Sequence, residues 1–362
     1  MHRLNRLICL LIAAGILSVS CNPAASSSGD ADGSSDGDAD ASTDTDLDDS
    51  DVAQGELHVT IYDASQTCEG TTFLPDLHDP DSPRIVEVDM EGAVVWEYVI
   101  PDHLKQYKEP GMDVEVLSSG NILFVLPRYG VYEIDREGAI VWSHLDARIS
   151  HDADRLADGN TLYSWGGPDQ KDDAQVKEVT PDGQVVWSWS AKDELDVAPY
   201  DEIYRDGWTH TNAVTRLADG NTLVSLRNFN LTVEVNPAGE IVWSFDWSTL
   251  GGDDPHDPEI LPDDDHLIVC LQHETPHQIV EIDRATGEVA WEFYQEGMRT
   301  ARDSDRLPNG NTLIQAVLMP DDNSVVMEVT PAGEIVWQLE LKDTPATQSP
   351  GWFFKAERVC QE

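Results

Sequence analysis

The chain has 362 residues, with 22 Lys and Arg against 69 Asp and Glu, for a formal charge of −47. That length holds one large β domain or two ordinary ones, with ample core. The acidic excess argues against nucleic acid as a partner, because neutralising phosphates takes clustered Lys and Arg.

The N-terminus reads MHRLNRLICLLIAAGILSVSC, with Arg3 and Arg6 followed by an apolar run from Leu7 to Leu17. The run is too short to span a bilayer as a stable helix and fits the apolar region of a signal peptide. It ends at Ser18-Val19-Ser20-Cys21, which resembles a bacterial lipoprotein cleavage box, although Ser18 stands where Leu is usual. Residues 1–21 are therefore read as a lipoprotein-type signal peptide with Cys21 as the lipidated residue. The anchor would hold the mature protein on a cell-envelope membrane, facing the periplasm or the exterior; plain secretion is the alternative. Residues 22–55 carry ten Asp among Ser, Gly, Ala and Thr, with no aromatic, Lys or Arg. Such a segment is expected to stay disordered and extended by self-repulsion, as a tether. Its DADGSSDGDAD stretch lacks the terminal Glu and the flanking helices of an EF-hand.

Six later segments share one pattern: VEVDMEGAVVWEY, YEIDREGAIVWSH, KEVTPDGQVVWSW, VEVNPAGEIVWSF, VEIDRATGEVAWEF and MEVTPAGEIVWQL. Their tryptophans, Trp96, Trp142, Trp187, Trp243, Trp291 and Trp337, stand 46, 45, 56, 48 and 46 residues apart. Each segment is a strand, a Pro/Gly/Asp turn and a second strand with alternating apolar positions, hence a β-hairpin. A second hairpin precedes most of them, as in DRLADGNTLYSW and TRLADGNTLVSL. Four short strands per repeat is the period of a propeller blade. At the two ends stand ELHVTIYD, TTFLPDL and WFFKAERV, one of which is expected to complete a blade and close the ring. Residues 56–362 are thus read as one all-β, six-bladed β-propeller with four-stranded blades, and the repeated Trp as packing between blades. A closed ring brings its ends together, so Cys68 and Cys360 are expected to pair in an exported domain. Cys270, in the apolar strand HLIVCL, is read as a buried free thiol.

The innermost strand of a blade lines the channel, and the residue just before it lies at one mouth. Aligned on Leu117, Leu156, Leu217, Leu261 and Leu307, that register holds Met112, His151, Asn212, His256 and Arg302. His210 lies two residues before Asn212, so both are expected on one face of the strand. The next position is Asp113, Asp152, Asp257 and Asp303 in four blades, a recurrence that fits a structural bond to backbone at the strand start. Three blades in a row thus aim His151, His210 and His256 at one place, and Arg227, at the end of the second strand of the His210 blade, adds a positive charge, with a surface strand-end Arg paired to an acid as the competing reading. Three imidazoles could bind a transition metal. The adjacent guanidinium favours an anionic, oxygen-rich group instead.

At these residues the chain resembles the bacterial arylsulfate sulfotransferases, PAPS-independent enzymes on a six-bladed propeller. The resemblance covers most of residues 56–362, through HDADRLADGNTL, DGWTHTN with SLR downstream, PHDPEILP and FKAERV. It points to the shorter branch of that family: the periplasmic members carry an added N-terminal β domain and a disulfide near the active site, for which Cys270 has no close partner. The resemblance implies ping-pong transfer of a sulfuryl group from an aryl sulfate to a phenol through a sulfated histidine, with no cofactor and no metal. It matches His210 to the nucleophile, Arg227 to the active-site arginine, and His151 and His256 to the two flanking histidines, one of them an acid and base. Asn212 is expected to orient His210 or the sulfuryl group. Trp208 and Tyr129 are candidate aromatic walls, with ordinary packing as the competing reading. The rival functions are a binding or scaffold propeller without chemistry, a quinoprotein-like protein suggested by IDRATGEVAWEF, and a histidine-bound metal site.

Overall fold

The computed structural model describes residues 55–108, 111–272, 278–320, 323–341 and 353–361. The signal segment, Cys21 and the linker up to residue 54 lie outside the described residues. Six antiparallel sheets form the blades. In blade three the strands run Ala153–Arg155, Thr161–Ser164, Val176–Val179 and Val185–Trp189, from the channel outward. The second strands are apolar and buried on both faces, as in Ile122–Leu126 of blade two and Thr222–Leu226 of blade four. The outermost strands are half solvated, so Val95, Val141, Val186 and Val242 are exposed.

Both chain ends take part in closure. Glu357–Cys360 pairs with Gly70–Asp76 and is the innermost strand of blade one. Leu57–Tyr62 pairs with Ile335–Leu341 as a fifth, outermost strand of blade six. This addition explains why the outer strand of blade six is mostly buried while the others are not. A disulfide joins Cys68 to Cys360, with Cα atoms 5.6 Å apart, and Cys270 is a buried free thiol.

The repeat owes its regularity to one device. The outer hairpin turns on a glycine at positive φ, Gly183 at 81° in blade three, a conformation other residues rarely adopt. A bulge beside the turn sets a Glu directly opposite the Trp, as Glu133 opposite Trp142 and Glu178 opposite Trp187. The Trp142 indole then donates to the Pro181 carbonyl of the next blade at 2.8 Å. The guanidinium of Arg155, also from the next blade, lies 4.2 Å from the Trp142 ring centre and donates to Glu133 at 2.9 Å. The same Trp–Arg–Glu contact recurs at every blade boundary. At the closing one Trp337 donates to the Met90 carbonyl at 2.9 Å, with Arg358 over its ring and 3.1 Å from Glu328. Each contact adds a cation–π attraction of about 0.5–2 kcal/mol to the buried area.

Three of the four recurring Asp residues bond backbone, as the sequence suggests, and they do so across blades, while Asp257 bonds Lys355. Asp113 accepts from the Ala153 amide, Asp152 from Val214 and Asp303 from Ala356. In blade one that register is Lys355. Its Nζ lies 2.6 Å from Asp152, 3.0 Å from Asp257 and 3.3 Å from Asp113, at the centre of the channel.

Candidate active site

A cavity of about 290 Å³ opens at the mouth where the register residues converge, and His151, His210, His256 and Arg227 all line it. The sheets are irregular at this level. The strand register slips over Asn212 in blade four, around His256 in blade five and over Arg302 in blade six. Such bulges re-aim side chains toward the axis. Of the seven non-glycine residues described with positive φ, Arg128, Asp206 and His210 line the cavity and Asp254 stands directly behind it.

His210 stands just before the innermost strand Thr211–Arg216 with φ at 49°. Two buried side chains hold this loop. Asp169 accepts from the backbone amides of Thr209 and His210 and from the Thr209 hydroxyl. Asn228 donates to the carbonyls of Arg205, Gly207 and Trp208. Gly207, at φ 111°, admits Asp169, since a Cβ there would stand 2.5 Å from the carboxylate. The His210 ring then sets Nδ1 2.8 Å from the Asp206 carbonyl. A carbonyl can only accept, so Nδ1 carries the ring proton and Nε2 keeps its lone pair.

Electrostatics keep the imidazoles neutral. Burial, and then the charge of Arg227, push His210 down to about 4. Burial lowers His151 well below the usual range, with His210 and Arg302 adding to it, and does the same for His256, with Arg302 next. His151 stacks between two rings, 5.4 Å from His210 and 5.6 Å from Phe354. Its Nδ1 is buried without a hydrogen-bond partner. Arg227 is mostly buried and pairs at 2.9 Å with the fully buried Asp254, which Arg205 also contacts. Arg227 is thus a fixed part of the cavity wall and not a surface strand-end residue.

Several sequence expectations need correction. Asn212 does not face the cavity with His210. The left-handed turn at His210 breaks the alternation, and Asn212 lies behind His256. Its amide donates to the Pro255 carbonyl at 3.0 Å and stands 2.7 Å from Nδ1 of His256. The Pro255 bond makes the Asn212 amide nitrogen a donor toward Nδ1, while the Asp254 carbonyl 3.3 Å away is an acceptor for the same atom, so His256 has partners for both neutral tautomers. The Gln272 amide nitrogen lies 2.9 Å from Nε2. Trp208 does not line the cavity either. It is fully buried, donates to the Tyr200 carbonyl and meets Phe229 edge-on. Tyr129 is stacked on Tyr107 at 3.9 Å in the same way, as packing.

Other lining residues escaped the sequence reading. Arg302 was in the aligned register without a role. Phe354 occupies the same register in blade one, as FKAER aligns with RDSDR, but the blade had to close before that alignment meant anything. Arg128 follows the second strand of blade two, and Arg205 lies in the loop before the innermost strand of blade four.

The family model described as Arylsulfotransferase (ASST) matches residues 55–249, and one described as Outer membrane protein assembly factor BamB matches residues 172–358. No curated protein matches the chain. Among solved structures, a Bacteroides caccae protein of unknown function is similar at 18% identity and TM-score 0.57, over 79% of this chain and 98% of that one. A virginiamycin B lyase from Staphylococcus aureus is similar at 12% identity and TM-score 0.48, over 79% of this chain and 100% of that one. The first likeness concerns the fold alone. The first model spans more than half the sequence, from the opening strand through the blade that carries His210 and Arg227, and on that match the chain belongs to the arylsulfotransferase family.

Proposed function

We propose that the cavity moves a sulfuryl group from an aryl sulfate to a phenol in two steps, through His210. The observation that carries this reading is the His210 ring: Nδ1 bonded to the Asp206 carbonyl, Nε2 free, and neutrality enforced beside a buried guanidinium. A neutral imidazole is a good nucleophile at neutral pH. In the first step Nε2 attacks sulfur, the S–O(aryl) bond breaks and the phenolate leaves with the electron pair. In the second step a phenol oxygen attacks sulfur, the S–Nε2 bond breaks and Nε2 recovers its lone pair. Arg227 holds the non-bridging sulfuryl oxygens while charge moves to the leaving oxygen.

The two flanking histidines take different parts. His256 takes the donor's part: in the tautomer with its proton on Nε2, it donates a hydrogen bond to the ester oxygen as the bond breaks. His151, which lines the same cavity, accepts the proton of the incoming phenol. Lipidation of Cys21 and the acidic tether would keep this activity at the cell envelope, with small aromatic molecules as its partners.

Incubation with excess p-nitrophenyl sulfate tests the reading. One sulfuryl group is expected on the protein, mapping to His210, with phenol-dependent release of nitrophenol. Neither adduct nor release would favour a binding propeller instead, and stoichiometric zinc or copper in purified protein would favour a metal site.

A further inference from the structure

Among the described residues, Arg302 differs from the arginines that are paired with acids. The blade-boundary arginines have glutamates, and Arg227 and Arg205 share Asp254. Arg302 is more than nine-tenths buried, it lines the cavity, and its Nε and Nη1 have no hydrogen-bond partner. Besides burial, the charges acting on it are those of Arg227 and Arg299, both repulsive. A buried guanidinium in such surroundings is costly unless an anion comes to it.

Its place in the cavity separates it from the sulfuryl site. His210, His151, Phe354 and Arg302 form a series of flat groups with successive separations of 5.4, 5.6 and 5.1 Å. Arg227 acts on His210, whereas His256 feels Arg302 first and Arg227 next. Arg227 is held by Asp254 beside the nucleophile, and Arg302 lies against the Phe354 ring at the end of the series. An aryl sulfate ester carries one negative charge, which Arg227 answers. We propose that Arg302 and Phe354 form a second anion-recognising subsite, so that the aromatic substrate carries a further anionic group, a ring carboxylate being the simplest. The guanidinium fork takes the carboxylate and the phenyl ring meets the aryl face. This proposal rests on the sulfuryl-transfer reading for its reaction but not for its binding.

The test compares 4-carboxyphenyl sulfate with the uncharged isostere 4-carbamoylphenyl sulfate. A charge-assisted bidentate pair predicts that the protein prefers the carboxylate by roughly 10–100-fold in kcat/KM. In Arg302→Gln that ratio is expected to fall to about 1, and Arg302→Lys, which keeps the charge but loses the fork, should lie between. An equal ratio in the unmodified protein and Arg302→Gln overturns the proposal. Should Arg302→Gln fail to fold by its melting curve, an unchanged ratio in Arg302→Lys overturns it. If neither donor turns over, the transfer reading fails, and calorimetric binding of the same two compounds decides the subsite. Tighter binding of the carboxylate that is lost with the Arg302 variants supports it, and equal binding overturns it.

Discussion

The Nδ1 atom of His210 lies 2.8 Å from the backbone carbonyl of Asp206, four residues earlier in the same loop. A backbone acceptor cannot be mutated away, and it fixes the tautomer, with the Asp206 carboxylate 3.9 Å from the same nitrogen. Nitrogen NMR of the protein labelled at histidine is expected to show His210 as the Nδ1-protonated neutral form at pH 7. His210→Ala should abolish transfer while shifting Tm by only a few degrees, because it enlarges an existing cavity. Survival of transfer in that variant would place the nucleophile elsewhere.

The pH dependence follows from the same ring. His210 must be neutral to attack, and its pKa is lowered to about 4. Single-turnover sulfation should therefore stay flat through mildly acidic pH and fall only as the pH approaches that value. The Arg227 charge contributes to the shift after burial, so Arg227→Gln should move the acid limb upward toward the ordinary histidine range near 6.5 while slowing transfer about 10²-fold or more. A histidine with a depressed folded pKa contributes stability that is present above the unfolded value and lost as pH falls through the folded one.

The flanking histidines should separate in a leaving-group series. His256→Ala is expected to hurt donors with poorly acidic phenols most, because it removes the donor to the departing oxygen. His151→Ala should slow the second step instead, so that sulfated protein accumulates and the burst of nitrophenol remains. Asn212→Ala should resemble a mild His256 variant, since it frees that ring, and not a His210 variant.

Lys355 is the buried cation on which Asp113, Asp152 and Asp257 converge. Lys355→Met is expected to destabilise by about 3–5 kcal/mol, because it leaves buried carboxylates without their partner. Burial already raises Asp152 to about 7, and Glu115, Glu259 and Glu357 likewise. Groups raised in the folded state contribute stability below their unfolded pKa and lose it as pH rises through the folded one. The Lys355→Met variant should therefore melt closer to the parent at pH 5 than at pH 8. Equal losses at both would show that the carboxyls do not titrate in that range.

The Cys68–Cys360 bridge ties the two ends of the ring across 292 residues. Cys68→Ser/Cys360→Ser is expected to cost roughly 2–5 kcal/mol, read as a lower denaturant midpoint, with the sulfation site unchanged. Trp337→Phe should weaken the same seam, by removing the bond to Met90 and part of the attraction to Arg358.

The sequence by itself determined the blades. Alternating apolar residues, turn glycines and a Trp recurring at 45–56-residue intervals are local signals, and each blade repeats them. The same repetition exposed the departures at His151, His210, His256 and Arg227, because a residue that breaks a repeat is visible against it. What the repeat could not carry is everything made by contact between blades. Ring closure gave Phe354 the register of the histidines and set Lys355 among the aspartates. The left-handed turn at His210 sent Asn212 behind His256. Burial without an opposing acid distinguished Arg302 from its paired neighbours. Spacing along a chain fixes which strand a side chain sits on. Whether that side chain meets a partner depends on a neighbouring blade that may lie more than two hundred residues away in sequence.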